Sequence, residues 1–145
     1  MADLVTPAPL SRRLLAAVYD LLLLLGVFGV LTAVLAIGSG FAGAAPAPRV
    51  LLAIYWLVAF LFFAWFWTHG GQTLGMRAWR LKVRRVDGSR LHWPAACWRY
   101  AAAWLSWAPL GLGVAWCLID PRRRAWHDAL SDTEVVLLPK EPTET

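Results

Sequence analysis

Apolar residues gather along this chain in long blocks, and the polar residues fall between them. Across residues 14–37 the apolar run is broken by one charge, Asp20. At 1.5 Å per residue this run reaches about 36 Å, enough to cross a hydrocarbon core of about 30 Å. It predicts a first transmembrane helix over 14–37. A second block, residues 50–67, carries no charge and ends in Trp65 and Trp67, as expected where a helix meets lipid headgroups. It predicts a second span over 50–67. The linker between them, 38–49, is rich in Gly and Pro and almost uncharged.

The pattern changes after the second block. Residues 68–94 are polar and hold six basic side chains. Within them Trp79, Leu81 and Val83 alternate with Arg80, Lys82 and Arg84, a period of two that reads as a strand, and Asp87-Gly88 reads as a hairpin turn after it. The β-branched and leucine run at 135–138 supplies a further strand, so a small cytoplasmic β-element is expected. Residues 95–119 are apolar again but are interrupted by Pro109, Gly111 and Gly113, and a proline inside a helix breaks or kinks it. This segment is either a single third transmembrane helix or two half-length helices, 95–107 and 110–119, joined by a turn within the membrane. Residues 120–138 form a C-terminal cytoplasmic segment. The ends, 1–11 and 139–145, read as disordered. The fold class is therefore an all-α membrane protein: two full transmembrane helices and a Pro/Gly-broken helical hairpin or third span, with the small β-element attached.

Composition agrees: 59% of residues are apolar and the mean hydropathy is +0.54, against about 45–50% apolar in soluble domains. The net charge of +5 raises nucleic acid as a partner, but the basic residues flank the apolar blocks, where they set membrane orientation. If 95–119 returns to its own side, the basic residues divide twelve against one; if it spans once, eight against five. The orientation rule favours the return, which puts both termini in the cytoplasm of a bacterial inner membrane. Arg12-Arg13 before an apolar run also has the look of a twin-arginine signal, with 42–44 as its cleavage site. Asp20 and the length of the run argue against that reading. Cys97 and Cys117 lie in apolar segments and read as packing residues.

Asp20 is the first candidate for chemistry. Arg13 lies two turns before it on nearly the same helix face, at the membrane boundary, where it can snorkel to phosphates. A carboxylate at the depth of Asp20 must pair, hydrogen-bond or stay protonated. Arg99, about one turn into the third segment, is the expected partner, facing the bundle interior. His127-Asp128 follows Asp120 and the run Arg122-Arg123-Arg124. His127 has a proton-relay pKa range, although neighbours in sequence do not face each other on a helix. Arg80, Lys82, Arg84, Arg122, Arg123 and Arg124 are expected to meet anionic headgroups. Gly71-Gln72-Thr73-Leu74-Gly75 lacks the Gly-Lys-Ser/Thr ending of a phosphate loop and reads as a tight turn. No nucleophile, base and oxyanion hole come together in the sequence, and no His/Cys cluster has metal spacing. Neither an enzyme nor a bound cofactor is expected.

Arg13 and Asp20, the stretch GQTLGMRAWRLKVRRVDG, Arg99, and DPRRRAWHDALSDTEVV together resemble the RDD family of bacterial membrane proteins. The resemblance covers roughly 10–138 and implies one membrane domain over 12–138. The family is named for one arginine and two aspartates. Arg13 and Asp20 match the first two, and the second aspartate is Asp120 or Asp128, with Asp128 favoured. Met76 departs from the lysine usual at that place. The family is suspected of transport, and some members are described as cation/proton antiporters. The resemblance thus implies a transporter or transporter subunit for a proton, cation or small solute, working as a homo-oligomer or with a membrane partner. The alternative is a non-transporting scaffold or accessory subunit whose charges are structural ion pairs.

Overall fold

The computed structural model describes residues 5–43 and 46–139. The chain order is β1 (Thr6–Pro7), α1 (Leu10–Ala42), α2 (Pro48–His69), α3 (Leu74–Ala78), β2 (Leu81–Arg85), α4 (Trp93–Trp107), α5 (Leu112–Ala115), a 3-10 turn (Trp116–Leu118), α6 (Trp126–Leu130) and β3 (Thr133–Leu137). The two long helices are those the apolar blocks predict, and both outrun the expected bounds. α1 begins directly after Pro9 and ends at Gly43, whose φ of 71° is the left-handed conformation that stops helices. α2 starts on Pro48, where the missing N–H costs nothing. Both helices are long and apolar enough to cross a membrane, and only 6% of the apolar window in α1 and 17% of that in α2 is buried within the chain. Most of their leucines and valines, with Trp56 and Trp65, face outward, the arrangement expected when lipid or another protein is the neighbour.

The three strands form one antiparallel sheet in the order β1-β3-β2. Val83 lies opposite Val135 and Pro7 opposite Val136. A proline is tolerated there because β1 is an edge strand. The other edge, β2, is closed by the loop after α2: Val83 N–H donates to the Gly71 carbonyl at 2.7 Å and Gln72 Nε2 to the Leu81 carbonyl at 2.7 Å. The small core joins this sheet to the helix ends, with Ala8, Ala16, Ala64, Trp67, Leu81 and Val83 at its centre.

Three expectations need correction. The strand containing Leu81 and Val83 does not form a hairpin through Asp87-Gly88; its partner is β3, about fifty residues on, and the chain after Gly88 runs directly to α4. Trp79 and Arg80 precede the strand, because α3 ends just before them and Arg80 takes a left-handed φ of 55°. Residues 6–7 are not disordered: Ala8 N–H bonds the Val135 carbonyl, and both residues pair with β3. Of the ends expected to be disordered, 1–4 and 140–145 fall outside the described residues, as do 44–45 of the linker, the first of them also in the cleavage motif.

The interrupted segment breaks where its prolines and glycines predict. α4 ends at Trp107, Leu110 and Gly111 take left-handed φ values of 55° and 79°, and the helical stretch Leu112–Leu118 leaves at 105° to α4. Gly113 packs closely enough that an added Cβ would stand 2.6 Å from Ser106 Oγ and 2.7 Å from the Trp126 ring.

Candidate functional site: a buried arginine–aspartate cluster and a separate aspartate

α6 is a single turn of helix with Asp128 in its first turn, and the side chain turns back to accept the Ala125 N–H at 3.0 Å. That local bond fixes the carboxylate between two arginines from elsewhere in the chain. Arg13, near the start of α1, donates from Nη1 to Oδ2 at 2.6 Å, and Arg99, in the second turn of α4, donates from Nη1 to Oδ1 at 2.6 Å. Asp128 is fully buried, and the Arg99 and Arg13 side chains are 2% and 8% exposed. The cluster therefore carries two positive charges and one negative.

The surplus charge is met by neutral acceptors. Arg13 also donates to the carbonyls of Ala8, Arg123 and Val135, and Arg99 to Thr133 Oγ1 at 2.5 Å, while the Arg99 guanidinium lies 5.0 Å from the centre of the Trp67 ring. Asp120 stands outside the cluster but shapes it. Its Oδ2 accepts the backbone N–H groups of Arg122 and Arg124, folding a turn in which Arg123, at φ 51°, presents its carbonyl to Arg13.

Burial opposes ionisation of Asp128, but Arg99 and Arg13 overcome it and hold the carboxyl well below the usual carboxylate range. Burial likewise pushes His127 down to about 4, against the pull of Asp128. Its Nε2 lies 3.6 Å from Asp128 Oδ1, and its buried Nδ1 has no partner among the described residues. His127 is therefore a neutral imidazole at neutral pH.

Asp20 does not meet Arg99, contrary to expectation. Its Oδ2 accepts from Thr73 Oγ1 at 2.5 Å and its Oδ1 from the Gly75 N–H at 2.8 Å. Thr73 caps α3, taking the Met76 N–H on the same oxygen. The start of α3 thus delivers two donors to α1, and Gly75 makes the approach possible: a Cβ there would collide with the Ala16 carbonyl and lie 3.0 Å from the Asp20 carboxyl. The stretch read as a tight turn is a docking surface for α1. Asp20 is 3% exposed, and among the described residues no cation lies within 4 Å of it. Arg13 likewise does not snorkel to lipid; it turns inward because Asp128 and three carbonyls await it.

Of the residues expected at headgroups, Arg122 and Arg123 are exposed, Arg80, Lys82, Arg84 and Arg124 are half-buried, Arg84 pairs with Glu134 at 2.7 Å and Arg124 lies 3.8 Å from Asp120. Sequence reasoning placed Thr73 and Gly75 in a tight turn without giving them a partner, and it passed over Thr133. The available signals were a threonine three residues before a backbone N–H it can cap and a glycine beside it.

The RDD family profile matches residues 7–132, so the chain belongs to the RDD family. No curated protein and no solved structure matches it.

Proposed function

We propose that this RDD-family membrane protein is a subunit of a proton- or cation-handling assembly, in which Asp20 is the working carboxylate and Arg13–Asp128–Arg99 is a structural clamp. The observation carrying this reading is the contrast between the two buried aspartates. Asp128 sits between two guanidinium groups, which favour its charged form so strongly that it has no reason to release its charge. Among the described residues Asp20 receives only a hydroxyl and a backbone N–H. A carboxylate without a counter-cation, on a helix apolar enough to span a membrane, is the kind of group that takes up and releases a proton or small cation.

Two spans and a bent helix pair do not enclose a pathway, so the reading includes self-assembly or a membrane partner, for which the outward apolar faces of α1 and α2 are suited. The bent segment is taken to return to its own side, with both termini cytoplasmic in a bacterial inner membrane. Supporting this, β1 near the N-terminus pairs with β3 near the C-terminus.

A second reading is a scaffold without transport. It is favoured by the fact that both Asp20 oxygens already tie α3 to α1. Proton and sodium flux into liposomes separates the two, with wild type beside Asp20→Asn. Flux lost from a variant of normal abundance and assembly supports the first reading. A variant that chiefly loses membrane abundance, beside a folded wild type that moves no ion, leaves the scaffold.

A further inference from the structure

A cavity of about 230 Å³ lies between the end of α2, β2 and the loop leading to α4, and neither Asp20 nor Asp128 lines it. Trp67, Gly71, Lys82, Arg84, Ser89 and Arg90 line it over an apolar floor that includes Val83 and Leu91. We propose that this cavity binds a phosphate group, and that the group is the headgroup phosphate of an anionic phospholipid.

Charge is the first argument. Three of the lining residues are cationic and none is acidic. Arg84 is engaged by Glu134, and Ser89 donates to Asp87. Lys82 and Arg90 form no side-chain hydrogen bond or ion pair among the described residues. Two uncommitted cations on one wall are a site for an anion.

A second argument is independent of charge. Trp67 is 7% exposed, and its indole N–H is buried with no acceptor among the described residues. A buried donor without an acceptor is costly, and each instance calls for an explanation. Trp67 lines the cavity, so a phosphate group held there lies beside a donor that still lacks an acceptor.

Shape and place narrow the ligand. Drug-sized ligands take roughly 300–1,000 Å³, so this cavity suits a compact group whose remainder lies outside. Trp67 is two residues from the end of a helix apolar enough to span, which is headgroup depth for a tryptophan. Gly71, at φ 74°, leaves room for the Lys82 stem: a Cβ there would stand 3.2 Å from Lys82 Cγ and collide with the Val83 carbonyl. The lysine stem therefore lies along the loop that lines the cavity. This inference needs only a membrane location and is independent of whether the assembly moves ions.

Native mass spectrometry of the purified full-length protein in neutral detergent tests it, with phosphatidylglycerol titrated beside phosphatidylcholine. Wild type is expected to hold one phosphatidylglycerol in preference to phosphatidylcholine. Lys82→Ala with Arg90→Ala weakens that binding roughly thirtyfold, at about a fivefold loss or more per cation. Trp67→Phe, which keeps a ring and removes the N–H, weakens it about fivefold. Arg49→Gln with Arg77→Gln removes the same charge elsewhere, at exposed residues outside the cavity, and leaves it unchanged. Equilibrium binding of radiolabelled inorganic phosphate without lipid separates the sources: binding there, lost in the Lys82/Arg90 variant, assigns the site to free phosphate, and its absence assigns the headgroup. Equal binding of the two lipids, or equal losses in the two double variants, overturns the site. Each variant's thermal transition is recorded beforehand, and the single Lys82→Gln replaces any that fails to fold.

Discussion

Asp128 is shared by two arginines, and that sharing sets the cost of each possible change. Removing one arginine leaves a pair; removing the aspartate charge leaves two like charges buried together. Breaking a buried ion pair by deleting one partner costs about 3–5 kcal/mol. Asp128→Asn should therefore lie at the upper end of that range, and Arg99→Met should cost visibly less because Arg13 remains. Thermal unfolding in detergent checks the order, and equal transitions for the two variants would contradict a shared carboxylate. His127 adds a pH dependence whose sign follows from burial. Its folded-state value of about 4 lies below the ordinary 6.5, so between those limits the unfolded chain binds the proton first. Stability is whole above about 6.5 and falls as pH drops towards 4, by on the order of 3 kcal/mol. Asp128, held below the carboxylate range, extends the loss to lower pH because its ion pairs vanish only on protonation. His127→Gln should flatten the melting temperature between pH 6.5 and 4.5 while leaving the steeper acid loss in place. An unchanged slope would remove His127 as its source.

Between elements, α3 approaches α1 closely, and the approach depends on one absent side chain. Gly75→Ala places a methyl group against the Ala16 carbonyl and the Asp20 carboxyl. Both lie on a helix that cannot yield locally, so α3 must withdraw and release its two bonds to Asp20. Overpacking of this kind costs about 1–3 kcal/mol. Gly29→Ala, in α1 with nothing within 4 Å, is the matched control and should leave the melting temperature unchanged; a Gly75→Ala protein as stable as Gly29→Ala would rule out the close approach. The same contact marks where sequence reading reaches and where it stops. The long apolar runs announce α1 and α2 because lipid imposes a length and a composition on any spanning helix. Pro109 and Gly111 announce the break because each constrains its own backbone. The period of two announces β2, but nothing local says that its partner is β3. Depth within the apolar block shows that Asp20 needs a partner and leaves its chemistry open. Matching charge to charge selects Arg99; the folded chain offers a hydroxyl and a backbone N–H, because a helix start carries unpaired donors. Asp128 and Arg99 are both visible as candidates, yet their meeting depends on the path of residues 108–125.

For the whole molecule, the contact between Arg13 and Asp128 bears on the returning topology proposed above as well as on local stability. Arg13 stands at the start of α1, and Asp128 follows the bent segment. Were that segment to cross the bilayer, about 30 Å of hydrocarbon would separate its two flanks, and Asp128 could not lie 2.6 Å from Arg13. The sheet adds the same constraint, since β1 before the first span is hydrogen-bonded to β3 after the last helix. The topology expected from these contacts has Asp87 and Arg122 on one face of the membrane and Ala47 on the other, all three exposed. Single cysteines at each position, introduced after Cys97→Ala and Cys117→Ala, report it by labelling intact cells and inverted vesicles with a membrane-impermeant maleimide. Asp87→Cys and Arg122→Cys should react in inverted vesicles, and Ala47→Cys in intact cells. Arg122→Cys reacting together with Ala47→Cys would make residues 93–118 a single span, and the Arg13–Asp128–Arg99 cluster could not then form within one chain. The basic residues on both flanks of the bent segment would also be split across the membrane, against the orientation rule, so labelling tests the clamp and the charge distribution together.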